Sequence, residues 1–364
     1  MSDRRRNLSR RGSALLTLVS LSTVVLSGCG SGASGDEGQE SADLAQANLT
    51  FADYGGDLSE AMNSSWLEPF SEETGAKFTQ DPSMDPAKIR IQVETGNVEW
   101  DLAEVDTWLA NQQCGKQFEE LNPGTLDASK FSDGYVTNKC GVPVLGWGAV
   151  LAYDKSKFGD DPPTSWADFF DTKKYPGKRC APASSPPGQF NMEAGLLADG
   201  VAPDELYPLD VDRAIERWRP IADDTAFLES STQQVDTMIS GGAAMCIAYS
   251  SRVYDAVKGG ANWQAVWPTV IRNWDNIVVL KGSASNEDAK AFLDWMSDHP
   301  EAQDQLAEQV AFASTADDST GRGDPLLAEY LVSNHRDEGT SIDFDWYADG
   351  VDAASMKWQE AFVG

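Results

Sequence analysis

Apolar positions along this chain come in short runs separated by stretches with helical spacing. Leu49-Thr50-Phe51-Ala52 predicts a first strand, and Leu58 to Thr74 an amphipathic helix that stops at Gly75. Lys77 to Gln80 predicts a strand, Pro86 to Glu94 a helix, and Trp100 to Val105 another strand. Val142 to Tyr153 is a long extended run, with Pro143, Gly146 and Gly148 placed where a crossing strand could bend. The rhythm then resumes. Ser165 is placed to cap a helix over Trp166 to Phe170, with acids in its first turn. Lys178 to Ala181 and Ala244 to Ala248 predict strands, as does Ile277 to Leu280. Helices are predicted over Met192 to Ala198, Asp210 to Ala222, Thr232 to Ser240 and Asn286 to Ser297. Strand and helix in alternation imply parallel sheets flanked by helices, an α/β fold.

The first residues follow a different pattern. Met1 to Arg11 carry five arginines, and Ala14 to Leu26 is an apolar run too short to span a membrane comfortably. Leu26-Ser27-Gly28-Cys29 resembles a bacterial lipobox, so residues 1–29 are read as a lipoprotein signal with Cys29 as the lipidated residue. The pair Arg10-Arg11 leaves the export route open between two systems. Residues 30–48 are rich in Gly, Ser, Ala and acids, a composition that cannot bury enough surface to offset ordering entropy. They are read as a tether. The expected location is the outer face of the cell membrane, held by lipid.

Some 315 residues remain, large for one core and ample for two lobes. Twelve tryptophans mark this part as globular. The net charge of −30 argues against nucleic acid and anionic lipid as partners. The remaining cysteines, Cys114, Cys140, Cys180 and Cys246, are even in number, which in an exported chain suggests disulfides. With no CxxC spacing and only His299 and His335 in the chain, neither a metal site nor a cofactor is expected.

The order of segments resembles extracellular solute-binding proteins of the spermidine/putrescine type. The likeness lies in Thr164-Ser165-Trp166-Ala167-Asp168-Phe169-Phe170 followed by Tyr175-Pro176-Gly177-Lys178-Arg179, in Glu193 to Asp212, and in Asp345-Trp346-Tyr347-Ala348-Asp349 with Trp358. It implies a two-lobe periplasmic-binding-protein fold of the Venus-flytrap type II class, with crossing hinge strands. By this likeness residues 49–146 and 276–315 form lobe 1, and 147–275 form lobe 2. Residues 316–364 pack across the hinge side. Of three possible disulfide pairings, the simplest under this division is Cys114–Cys140 and Cys180–Cys246, one in each lobe.

Ligand sites in parallel α/β sheets lie at the C-terminal ends of strands. That rule and the family likeness select Asp53 and Tyr54 after the first strand, where Gly55-Gly56 would let backbone approach a ligand. Asp106 and Thr107 end a later strand, and Asp106 is equally placed to cap the following helix. Trp147 matches an aromatic residue near the family's cleft. Trp274 matches a tryptophan of the polyamine binders. Their acid two residues later is replaced by Asn276, and Asp275 stands beside it. Tyr249, Ser231 at a helix start, and Tyr347 in the C-terminal signature complete the candidates. No GxSxG, HExxH or P-loop is present.

The expected function is solute capture for an ABC importer by a monomer with no chemistry of its own. Its partners would be a membrane permease and a small solute, with a cationic, polyamine-like compound favoured. The alternative is a secreted hydrolase working through a carboxylate pair.

Overall fold

The computed structural model describes residues 44–132, 134–183, 186, 188–316 and 324–362. Cys29 and the signal segment lie outside the described residues. The folded part begins inside the expected tether: Leu44–Gln46 forms a 3-10 turn and Ala47 is buried.

Among the described residues nine strands form one sheet: β1 (Asn48–Ala52), β2 (Lys77–Asp81), β3 (Leu102–Asp106), β4 (Gly141–Asp154), β5 (Arg179–Pro182), β6 (Thr225–Leu228), β7 (Met245–Tyr249), β8 (Trp263–Val279) and β9 (Thr340–Ser341). Their order is β2-β1-β3-β8-β4-β7-β5-β6, with β9 beside β8. On one side β1 runs parallel to β2 and β3; on the other β5 runs parallel to β6 and β7. The long strands β4 and β8 pair antiparallel with each other and join the two parallel halves. This is the type II two-lobe arrangement with crossing strands.

The crossing has a local cause. Register between β4 and β8 shifts between Val144 and Gly146, where Leu145 adopts φ 51. Such a bulge bends a strand and increases its twist. Gly148 sits so close to β8 that a Cβ there would meet Val270 Cγ2 at 2.8 Å.

Several expected elements are present with altered bounds. The helix expected over Leu58 to Thr74 is interrupted by a π turn, Asn63–Leu67. That extra residue turns Trp66 fully inward, where its Nε1 donates to Ala302 O at 3.1 Å. Ser165 and Asp168 form a reciprocal capping box on the helix Trp166–Phe170. The strand expected over Ile277 to Leu280 is the end of the seventeen-residue β8.

Cys114 is bonded to Cys140, and Cys180 to Cys246, which face each other on β5 and β7. The C-terminal helix Phe344–Phe362 packs on Thr107–Gln113, which follows β3, and on Val211–Trp218 from the other half. It therefore braces both halves. Among the described residues no helix is long and apolar enough to cross a membrane.

Candidate functional site

The two crossing strands and β3 bring three carboxylates together. Asp106 on β3 stands opposite Asp275 on β8, and Glu104 lies two residues back on the same face of β3. All three are almost fully removed from solvent, apart from a partly open Asp106. No lysine or arginine pairs with them. Instead Tyr54 N donates to Glu104 Oε2 at 3.2 Å, Asn273 Nδ2 to Asp106 Oδ1 at 3.1 Å, and Trp147 Nε1 to Asp275 Oδ1 at 3.3 Å. Tyr54 OH lies 3.4 Å from Asp106 Oδ2. Glu104 and Asp275 are close enough to share a proton between their carboxyl groups, and Asn273 Oδ1 is buried with no partner among the described residues.

This arrangement is electrostatically unfavourable when empty. Burial pushes Glu104 up to about 8, with the charges of Asp53 and Asp106 adding to the rise. Burial likewise raises Asp106 to about 6. Asp275 is pushed well above the usual carboxylate range by burial first, then by Asp106 and Glu104. Glu104 and Asp275 therefore favour the protonated form at neutral pH in the empty site, a preference that a nearby cation would oppose.

Aromatic rings from the other half of the sheet pack against Trp147, whose N–H reaches the cluster. Trp147 lies edge-on to Phe190 at 5.5 Å and to Tyr249 at 5.2 Å, while Phe190 and Tyr249 are 6.2 Å apart. Trp147 thus touches both parts of the site, its N–H on Asp275 and its ring on the lobe 2 aromatics. Directly after Tyr249 the helix Ser250–Lys258 begins without a side-chain cap. Ser250 Oγ is buried and unpartnered there. Arg252 Nη1 donates to Asp255 Oδ2 at 2.8 Å, leaving its buried Nε without a partner. Burial raises Asp255, Arg252 holds it down, and Asp57 from the first turn after Gly55-Gly56 raises it further.

Of the residues expected at the site, Tyr54, Asp106, Trp147, Tyr249 and Asp275 come together here. Asp106 occupies the N-cap position of Thr107–Gln113 but makes no side-chain cap bond, so its carboxylate is left for the cluster. Five other expected residues are placed outside the cluster. Asp53 is fully buried and committed to its own turn, accepting from Gly55 N at 2.7 Å, Gln80 Nε2 at 3.1 Å and Ser59 Oγ. Trp274 points to the opposite face of β8 because side chains alternate, and Thr107, the first residue of the helix after β3, turns the same way. Thr107 Oγ1 bonds Trp274 O at 2.7 Å, and the Trp274 ring packs on Tyr135 and Phe344. Tyr347 is fully buried behind the aromatic wall with its hydroxyl on Glu193. Ser231 opens its helix, but Ser230 supplies the cap, and neither is bonded to the cluster.

Sequence reasoning missed Glu104, Asn273, Phe190 and Ser250. The alternation that selects Asp106 and Asp275 also selects Glu104 and Asn273, two residues away on each strand. Phe190 had no comparable signal, since its place depends on a turn with positive φ. A polar depression of about 650 Å³, lined by Asn111, Gln112 and Asp345 among others, lies between Thr107–Gln113 and the C-terminal helix and includes none of the clustered residues.

Two α/β lobes on crossing strands, with a charged and aromatic site at the crossing, define a binding protein of the periplasmic type. The chain belongs to the bacterial extracellular solute-binding proteins, whose family model matches residues 65–324. It is 29% identical over 273 residues to a gamma-aminobutyric acid-binding protein of Pseudomonas aeruginosa, covering 73% of this chain and 76% of that protein. Among solved structures, the Atu4243–GABA receptor aligns with a TM-score of 0.78 and 29% identity, over 86% of this chain and 97% of the other. AgtB of A. tumefaciens R10, in complex with agropinic acid, aligns with a TM-score of 0.74 and 27% identity over 88% and 99%.

Proposed function

We propose that this protein captures a small solute bearing an ammonium group and a carboxylate, of the size of gamma-aminobutyric acid, and delivers it to an ABC permease. The observation that carries the reading is the cluster of Glu104, Asp106 and Asp275, two buried carboxylates and one half-buried, without a basic partner among the described residues. An ammonium group would supply the missing positive charge, and the rings of Trp147, Phe190 and Tyr249 would enclose the aliphatic part. A cation beside aromatic faces in a desolvated cleft gains about 2 kcal/mol.

The second end of the solute has its own match. Amide N–H groups at a helix start attract a carboxylate. The start of Ser250–Lys258 lies next to Tyr249, with Ser250 Oγ unpartnered and Arg252 two residues on. This feature favours an amino acid over a polyamine, which has no anionic end. It also agrees with the Pseudomonas aeruginosa relative being a gamma-aminobutyric acid-binding protein.

A buried acid group with a raised proton affinity would also suit the hydrolase reading. Family membership and aromatic walls drawn from the other lobe favour binding. On our reading the solute selects a closed form, drawing residues 49–146 and 276–315 against 147–275. Lipid at Cys29 would hold the monomer at the outer membrane face.

A thermal-shift panel tests the proposal. A ligand at a hundred times its Kd adds about 2.7 kcal/mol of stability. Gamma-aminobutyric acid should therefore raise Tm by several degrees. A panel in which only anions shift Tm would refute it.

A further inference from the structure

The wall residue Phe190 is held in place from behind. It adopts φ 63, a region that L side chains with bulky groups rarely occupy and that persists only where surroundings enforce it. It stands immediately before the helix Asn191–Ala198, and Gly188 two residues earlier also has positive φ. A Cβ at Gly188 would lie 2.7 Å from Trp358 Cγ, so the turn is seated directly on the C-terminal helix. One turn into the short helix, Glu193 is fully buried. Its Oε1 accepts from Tyr207 OH at 2.9 Å and from Tyr347 OH, while Oε2 has no side-chain partner among the described residues. No basic residue neutralises it. Burial raises its proton affinity, and the hydroxyls of Tyr347 and Tyr207, with the backbone N–H groups of Glu193 and Phe190, lower it. Burying a carboxylate with only hydroxyl and amide partners is costly, and nothing in the core of this lobe requires a charge at that point.

We infer that Glu193 is a positioning residue for solute binding: with Tyr347 it locks the turn that presents Phe190 to the cleft, making the C-terminal helix part of the binding apparatus. Glu193 touches no clustered carboxylate and no ring of the cleft in this structure. It acts through Phe190 alone. The inference rests on the reading of the Trp147–Phe190–Tyr249 wall as the solute site.

The test is a double-mutant cycle read by titration of gamma-aminobutyric acid, with melting curves to establish folding. Glu193→Ala should weaken binding at least tenfold. Glu193→Gln keeps an acceptor for both tyrosine hydroxyls and should restore binding to within about threefold of the wild type. Phe190→Ala should weaken binding as much as Glu193→Ala, and the double variant should lose no more than either alone, because coupled residues are not additive. Tyr347→Phe, a milder change, should lose three- to tenfold and covers the case in which Glu193→Ala does not fold. Unchanged affinity in Tyr347→Phe, or additive losses in the double variant, would overturn the inference while leaving the solute site standing. A Glu193→Gln variant as weak as Glu193→Ala would mean that the charge itself meets the solute, and would overturn it too. A wild-type protein that binds no ammonium-bearing solute would overturn both the inference and the reading beneath it.

Discussion

Capture of an ammonium group by the carboxylate cluster should be linked to proton release. In the empty protein, burial holds Glu104 at about 8 and Asp106 at about 6. The solute's ammonium group keeps its charge across this range, since an ordinary amine titrates near pH 10. Binding favours the ionised cluster, so a proton must leave. Affinity then rises with pH through the window set by these groups. If ionisation of a group with a midpoint of about 8 is required, the competent fraction grows about fiftyfold between pH 6 and pH 8. That is about 2.3 kcal/mol of binding free energy. The empty protein should show the opposite trend. A raised folded pKa contributes stability that is complete below the unfolded value and is lost as pH rises through the folded one. The empty form should therefore lose stability between about pH 4 and pH 8. Calorimetric titration of gamma-aminobutyric acid at pH 6, 7 and 8, in two buffers of different ionisation heat, reads affinity and proton release together. An affinity that is flat or falling over this range, with no buffer dependence, would refute the reasoning.

Asp275→Asn removes one member of the cluster, and a charge-assisted hydrogen bond is typically worth about 1.5–3 kcal/mol. Binding should fall about ten- to a hundredfold, yet the empty variant should melt higher than the wild type at pH 8, because folding no longer requires a carboxyl that is ionised in the unfolded chain to take up a proton at Asp275; a lower melting point would count against the cluster as described. Replacing Cys180 and Cys246 by serine opens a loop with a sequence separation of 66. The chain-entropy model assigns such a loop roughly 4 kcal/mol, so denaturant midpoints should drop strongly, whereas an unchanged midpoint would mean that the bond contributes nothing. Cys29→Ala should release the protein into the medium, as fractionation and immunoblotting would report; retention on the membrane would exclude lipid at Cys29 as the sole anchor.

Much of the fold was legible because its strands are short, apolar and separated by glycine. The β1, β2, β3, β4, β5 and β7 segments were all expected within two residues of their observed bounds. The long β8 was not. Between Trp263 and Asn276 it carries Gln264, Arg272, Asn273 and Asp275, and polar residues in a buried strand break the apolar pattern. Asn273 and Asp275 join the carboxylate cluster, whereas Arg272 bonds Ser341 Oγ and Glu338 O, so site and packing together broke the pattern of this strand. β6 is four partly exposed residues and offered no periodic signal. At the site, Asp106, Trp147 and Asp275 could be found from strand ends and family likeness. Strand alternation separates Asp275 from its neighbour Trp274, and this required a known register. Phe190 reaches the cleft only through backbone that sequence patterns do not encode.

The central claim is that Glu104, Asp106 and Asp275 hold an ammonium group while the opposite lobe receives a carboxylate. The most direct measurement is an equilibrium titration of three solutes of similar length at pH 7.5: gamma-aminobutyric acid, putrescine and glutarate. The account predicts one-to-one binding of gamma-aminobutyric acid, putrescine weaker by at least tenfold, and no measurable binding of glutarate. Tight binding of glutarate with both amines silent would contradict it.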